Sequence, residues 1–177
     1  TIILVDSIPN AAIHPAGPFC ENASTQSITG VISGGRFTPM SYLDTTGQFD
    51  PSLATSGNHK IFYSITDGNG CSNTDSTNIV VLDLPNAGIN SVLPICQNAP
   101  GIQLSPNTTG GTFSGGSFVT SSGFFDPQAA IIGRNKVIYS VTDINSCTAS
   151  DSMEIEVLPL PTNRLTIVPA KGCEQLI

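Results

Sequence analysis

The chain has 177 residues, only 11% of them charged, and a net charge of −7. That balance excludes a nucleic-acid binder, which needs clustered Lys and Arg, and it disfavours docking on anionic membrane surfaces. No apolar run is long enough to insert directly in a membrane. Thr, Ser, Asn and Gly dominate the polar positions, a neutral surface common among secreted β proteins.

In chain order, residues 1–8 resemble the end of a repeating unit. Ile2-Ile3-Leu4-Val5-Asp6 is similar to Ile79-Val80-Val81-Leu82-Asp83. From there the sequence repeats every 76 residues without a gap. Pro9, Pro85 and Pro161 lie on one lattice, as do Cys20 and Cys96, Cys71 and Cys147, and Tyr63 and Tyr139. Phe49-Asp50-Pro51 returns as Phe125-Asp126-Pro127. A fixed period of this length marks an array of small modules. The expected organisation is a last strand of a preceding module at 1–8, modules at 9–84 and 85–160, and the start of a further module at 161–177. In that last piece Gly172-Cys173-Glu174 resembles Phe19-Cys20-Glu21. The chain therefore reads as a window on a longer array.

Helical spacing is nearly absent, and 17 Gly and 13 Pro interrupt the chain. Short strands are expected around Ser27–Val31, Arg36–Thr38, Ser41–Leu43 and Gln48–Phe49, with copies one period on. Gly34-Gly35 and Gly110-Gly111 mark a turn or bulge. The longest period-two signal follows. Ile61, Tyr63 and Ile65 share one face, and Val137, Tyr139 and Val141 repeat it. The next strand should point Ile79 and Val81, and their copies Ile155 and Val157, inward. Val80 becomes Glu156, so that face meets water. Between the two strands, Asp67-Gly68-Asn69-Gly70-Cys71 is a hairpin signal, because Gly and Asn tolerate positive φ. About seven short strands per module predict an all-β fold of tandem immunoglobulin-like β-sandwiches. Val157-Leu158-Pro159-Leu160-Pro161 is expected to be stiff and extended, joining modules as a rod.

Modules of this size have small cores and often need staples. The five cysteines, two recurring per module, read as disulfides in an oxidising compartment. Pairing within modules, Cys20 with Cys71 and Cys96 with Cys147, is favoured, leaving Cys173 without a partner in this window. Each bond would close a loop of about 50 residues and contribute roughly 2–4 kcal/mol. The alternative is Cys20 with Cys147 of the next module. In an ordinary sandwich topology, the turn near Cys20 and the last hairpin lie at opposite ends.

No residues are assigned to catalysis or to a metal. His14 becomes Asn90 and His59 becomes Asn135, so neither His recurs as an enzyme or zinc site would require. An enzyme would also need a polar cluster that breaks the repeat, and none is seen. Asp50/Asp126, Asp67/Asp143 and Asp75/Asp151 recur as turn residues that cap backbone N–H groups. Calcium is their sharper reading, but no loop has the dense Asp/Asn alternation of a calcium motif. Asp is followed by Ser or Thr at four places, Ser7, Thr45, Ser76 and Ser152, with Ser76 and Ser152 on one lattice position. Asn22-Ala23-Ser24 and Asn107-Thr108-Thr109 fit the N-glycan pattern. Aromatics are 6% with no Trp, and most recur in register as core residues would. A carbohydrate-binding module array is a further alternative, though few aromatics are left over to form a sugar-stacking face.

Gly-Gly-Thr-Phe-Ser-Gly at 110–115, Phe-Asp-Pro at 125–127 with a following Ala and Gly, and the run Lys136 to Ser152 ending in Leu-Pro-Leu-Pro carry a resemblance. The module resembles the Ig-like repeats of large Bacteroidota surface proteins, such as gliding-motility adhesins and other type IX secretion cargo. The resemblance covers both complete modules. The Asp-Ser/Thr pairs also look like the O-glycosylation signal of that group. It implies an extracellular or cell-surface position and no catalytic residues. The expected function is a stalk or structural repeat of an adhesin or filament, with neighbouring modules as its partners. The alternative is a fibre subunit that self-associates into filaments by strand addition through Ile2–Val5.

Overall fold

The computed structural model describes residues 7–162. The expected strand Ile2–Val5 and the final piece from 163 onward, with Cys173, lie outside the described residues. The fold is all-β, of immunoglobulin-like sandwich type. Contacts divide the chain into two compact units. The first holds the described residues to Ala87 together with Asn107–Gly111 and Ser140–Ser150. The second holds Gly88–Pro106, Thr112–Tyr139 and the residues from Asp151 on.

In the first repeat the elements are β1 (Phe19–Cys20), β2 (Gln26–Ser27), β3 (Arg36–Phe37), β4 (Gln48–Phe49), α1 (Pro51–Ala54), β5 (Gly57–Thr66) and β6 (Ser72–Leu82). One sheet has the order β1-β6-β5-β3, and β2 pairs β4 in a second. The β5–β6 hairpin is the backbone of the unit, running from Gly57 opposite Val81 to Thr66 opposite Ser72. Its inward residues are those that alternation selects. Ile61, Tyr63, Ile65, Ile79 and Val81 are buried, while Val80 stays exposed. Ile28, Phe37, Leu43 and Phe49 close the core from the shorter strands and loops. Burying each such side chain is worth about 1.5–3 kcal/mol. Phe49, beside the Asp-Pro pair, is 0% exposed, and so is its copy Phe125.

The second repeat has β7 (Ile95–Cys96), β8 (Ile102–Gln103), β9 (Thr112–Ser114), β10 (Phe124–Phe125), β11 (Gly133–Thr142) and β12 (Thr148–Leu158). The sheet order β7-β12-β11-β9 and the pair β10-β8 reproduce the first repeat. Val137, Tyr139, Val141, Ile155 and Val157 are buried.

Two local expectations change. Ser41–Leu43 forms a tight turn, with Leu43 bridged to Met40 and Phe49, rather than a strand. Around Ser27–Val31, strand pairing covers only Gln26–Ser27, with Gly30 bridged singly to Ile13. In both places the chain turns again within a few residues, so no ladder can extend. The single helical turn, α1, arises from Asp50-Pro51. The Asp50 carboxylate caps Ser52 N at 3.0 Å, and Pro51 pre-sets the first helical φ. The Gly34-Gly35 turn is anchored by Tyr63. Its Oη accepts from Gly35 N at 2.9 Å and donates to the Ile32 carbonyl at 2.7 Å. Gly35 sits against that ring with no room for a side chain.

Candidate functional site: a cysteine junction

Two backbone devices present the cysteines. The first is the short parallel pairing of β1 with the end of β6, which sets Cys20 beside Leu82. Glu21 N donates to the Leu82 carbonyl at 3.0 Å, and Ala23 N to the Cys20 carbonyl at 2.9 Å. The second repeat does the same: Cys96 lies beside Leu158, Gln97 N reaches the Leu158 carbonyl at 2.9 Å, and Ala99 N the Cys96 carbonyl at 3.0 Å.

The second device is the hairpin turn. Asp67 Oδ1 accepts from Asn69 N at 3.0 Å and Cys71 N at 2.8 Å. Asp143 Oδ1 accepts from Asn145 N at 2.9 Å and Cys147 N at 2.8 Å. The recurring carboxylates thus brace the turns that hold the second cysteine of each repeat. The position before that cysteine needs a positive φ, met by Gly70 at 87° and by Ser146 at 68°.

The disulfide joins Cys20 to Cys147, with Cα atoms 5.5 Å apart and a sequence separation of 127. Both cysteines belong to the first compact unit, which includes the hairpin tip Ser140–Ser150. Cys147 is fully buried there. The Asn22 side-chain amide adds a bond to the Thr148 carbonyl at 2.9 Å. Cys71 and Cys96 carry free thiols, the first half-buried and the second exposed.

Pairing within repeats, favoured from sequence, is therefore replaced by the bond between repeats. The reason is strand length. Cys20 stands at the Leu82 end of β6 and Cys71 just before Ser72, at the other end. Eleven residues at about 3.3 Å each separate them by roughly 35 Å. A disulfide tolerates no more than about 7 Å between Cα atoms. Cys96 and Cys147 are held apart in the same way by β12.

The candidate glycosylation residues scatter. Ser7 and Ser152 are exposed, while Thr45 and Ser76 are half-buried. At the repeated pair, Asp75 Oδ1 accepts from Ser76 N and Asp151 Oδ1 from Ser152 N, each at 2.7 Å. Of the N-glycan candidates, Asn22 is occupied as above, and Asn107 donates to Asn86 Oδ1 at 3.3 Å. Among the described residues no three His, Cys, Asp or Glu side chains gather to hold a metal ion. No described helix is long and apolar enough to cross a membrane.

Sequence reasoning missed Asn135. Its side chain is 2% exposed and fully engaged. It accepts from Ile131 N at 3.1 Å and donates to the carbonyls of Ile131 at 2.8 Å and Gly133 at 3.0 Å. The signal was the exchange of His59 for Asn135 on one lattice position, both able to donate.

No protein-family model matches the chain, and no curated protein matches it significantly. Among solved structures it is similar to extracellular cadherin domains 1–5 of protocadherin gamma B2, at 16% identity and TM-score 0.36, over 90% of this chain and 41% of that one. Protocadherin gamma C5 EC1-3 gives 15% identity and TM-score 0.35, over 84% and 68%. Mouse clustered PcdhgC3 EC1-3 gives 14% and 0.33, again over 84% and 68%. The chain thus spans less than half of the first of these proteins.

Proposed function

We propose that this chain is a non-catalytic structural segment of an extracellular adhesin or cell-surface filament. Its repeats act as load-bearing spacers. The observation that carries this reading is the reach of the disulfide. A bond between Cys20 and Cys147 brackets most of both repeats. A pull on the chain ends cannot draw out the residues between the two cysteines until that bond is cut. Persistence of such a bond suits an oxidising, extracytoplasmic compartment. The resemblance to Bacteroidota surface repeats points the same way. The recurring polar residues also fit a scaffold, since Asp50, Asp67 and Asp143 bond nearby backbone N–H groups.

Single-molecule pulling tests this. With the bond intact, only the residues outside it should extend. Adding reductant should release a further length of about 440 Å, at roughly 3.5 Å per residue over the 127-residue separation. Equal extension with and without reductant would refute the load-bearing reading. So would repeats that unravel at negligible force.

A further inference from the structure

The sequence holds one Asn-Gly step, Asn69-Gly70, and one Asp-Gly step, Asp67-Gly68, both in the turn between β5 and β6. An Asn followed by Gly is a labile pairing. No Cβ shields the following backbone nitrogen, and glycine reaches the torsions that bring this nitrogen to the side-chain carbon. The turn leaves the step open. Asn69 and Gly70 are both exposed, and a Cβ at Gly70 would meet nothing within 4 Å. Among the described residues no partner holds the Asn69 side-chain amide. The Asp67-Gly68 step is restrained instead. Asp67 Oδ1 accepts from Asn69 N at 3.0 Å and from Cys71 N at 2.8 Å, which ties the carboxylate to those two amides rather than to Gly68 N. A carboxylate is also a poorer electrophile than an amide. The second repeat has Asn145-Ser146 at the same place, where a side chain shields the nitrogen. Asn145 stays exposed although Cys147 is bonded and buried. A bonded cysteine therefore does not cover this position, so the access to Asn69 does not hang on the state of Cys71.

We propose that Asn69 is a self-modifying site, converted by its own backbone to isoaspartate and aspartate, and that the conversion loosens the cysteine turn of the first repeat as the protein ages. The turn opens first, because Gly70 N is bonded to the Asp67 carbonyl at 3.2 Å. Exposed turns of this kind open locally at little cost. Gly70 N then gives its proton to solvent base and attacks Asn69 Cγ. The bond from Cγ to the side-chain nitrogen breaks, and that nitrogen takes up a proton and leaves as ammonia. A five-membered imide remains. Water opens it at one of its two carbonyls. Opening at Asn69 Cγ leaves aspartate, and opening at the main-chain carbonyl leaves isoaspartate, with the chain running on through Cγ. One water is consumed, one ammonia is released, and nothing is oxidised. Isoaspartate adds a methylene to the backbone of a turn closed by Asp67 N on the Cys71 carbonyl at 2.9 Å and by Cys71 N on the Asp67 carboxylate. The longer segment no longer fits both bonds, so Cys71 loses its brace while the turn at Cys147 keeps its own.

The test holds the purified full chain at neutral pH and physiological temperature and maps its peptides by mass spectrometry against a digest made at zero time. Isoaspartate is counted by enzymatic methylation of its carboxyl group. The peptide with Asn69 should gain isoaspartate and aspartate forms with matching release of ammonia, while the peptide with Asn145 stays unchanged over the same interval. Gly70→Ser, which copies the second repeat and places Ser where Ser146 already takes a φ of 68°, should slow the conversion severalfold. Amide exchange at Cys71 should quicken in step with the isoaspartate fraction, and that at Cys147 should not. Conversion of Asn69 no faster than that of Asn145 would overturn the proposal. So would isoaspartate formed without ammonia, which would place the reaction at Asp67. Unchanged exchange at Cys71 in fully converted chain would overturn the link to the cysteine turn.

Discussion

In the first repeat, Nε2 of His59 donates to the Thr55 carbonyl at 2.9 Å; in the second, the amide of Asn135 donates to the Ile131 carbonyl at 2.8 Å. The two acceptors are one period apart, as are the two donors. The surroundings differ. His59 is half-buried and lies edge-on to Tyr42 and tilted against Phe49, with ring centroids at 5.0 and 6.3 Å. Asn135 is buried and makes two further backbone bonds. The repeats thus preserve a bond rather than a residue. Where the residue itself is preserved, as at the cysteines, it is the partner that differs.

The largest expected effect comes from the cysteines. Removing the bond with Cys147→Ser should destabilise the chain by about 3–5 kcal/mol, given the long loop it closes. Cys96→Ser, at an exposed and unbonded copy, should stay within about 0.5 kcal/mol of the parent. Urea melts of both variants make the comparison. Equal losses would mean that the copies are not distinguished by their bonding.

Next is the pair that opened the comparison. Asn135→Ala removes three hydrogen bonds and strands the Ile131 N–H, an expected cost of about 2–3 kcal/mol. His59→Ala should cost about 1 kcal/mol, because solvent can replace its single bond. Thermal unfolding of the two variants would break the comparison if His59 proved the more costly. A smaller effect is expected from Tyr63→Phe, which keeps the ring but loses both bonds to the glycine turn. About 1–2 kcal/mol should be lost, with faster amide exchange at Gly35 as its local signature.

Much of this was legible in the sequence because it is local. The alternation in Ile61, Tyr63 and Ile65, the turn at Asp67–Cys71 and the Asp50-Pro51 cap each need only a few adjacent residues. The disulfide between repeats was legible only as the alternative pairing, because the separation of the two ends of a hairpin argues against pairing within a repeat but does not say which hairpin comes near Cys20. The parallel pairing of β1 with β6 was equally hidden, since two residues carry no periodicity. Asn135 escaped notice because an Asn between Arg134 and Lys136 reads as surface, and only the buried geometry assigns its three bonds.

The smallest effect separates the repeats by pH. Asp44 Oδ1 accepts from Gln48 N at 3.0 Å; one period on, Thr120 Oγ1 accepts from Phe124 N, also at 3.0 Å. The same amide is held by a carboxylate in one copy and a hydroxyl in the other. The Gln48 backbone N–H, followed by the Thr46 hydroxyl, holds the Asp44 carboxyl below its ordinary value of 3.8. A carboxylate whose pKa falls on folding adds stability that is fully present above the ordinary value. That stability is lost as pH drops through the folded one. Thr120 does not titrate. As pH falls below 3.8 and through the lowered folded value the Gln48 amide should therefore shift and lose exchange protection, while the Phe124 amide keeps its hydroxyl partner throughout. Replacing Asp44→Thr should make the first repeat behave like the second. An NMR titration in which both amides move with one midpoint would show instead that acid loosens the whole chain, and that the carboxylate adds nothing the hydroxyl lacks.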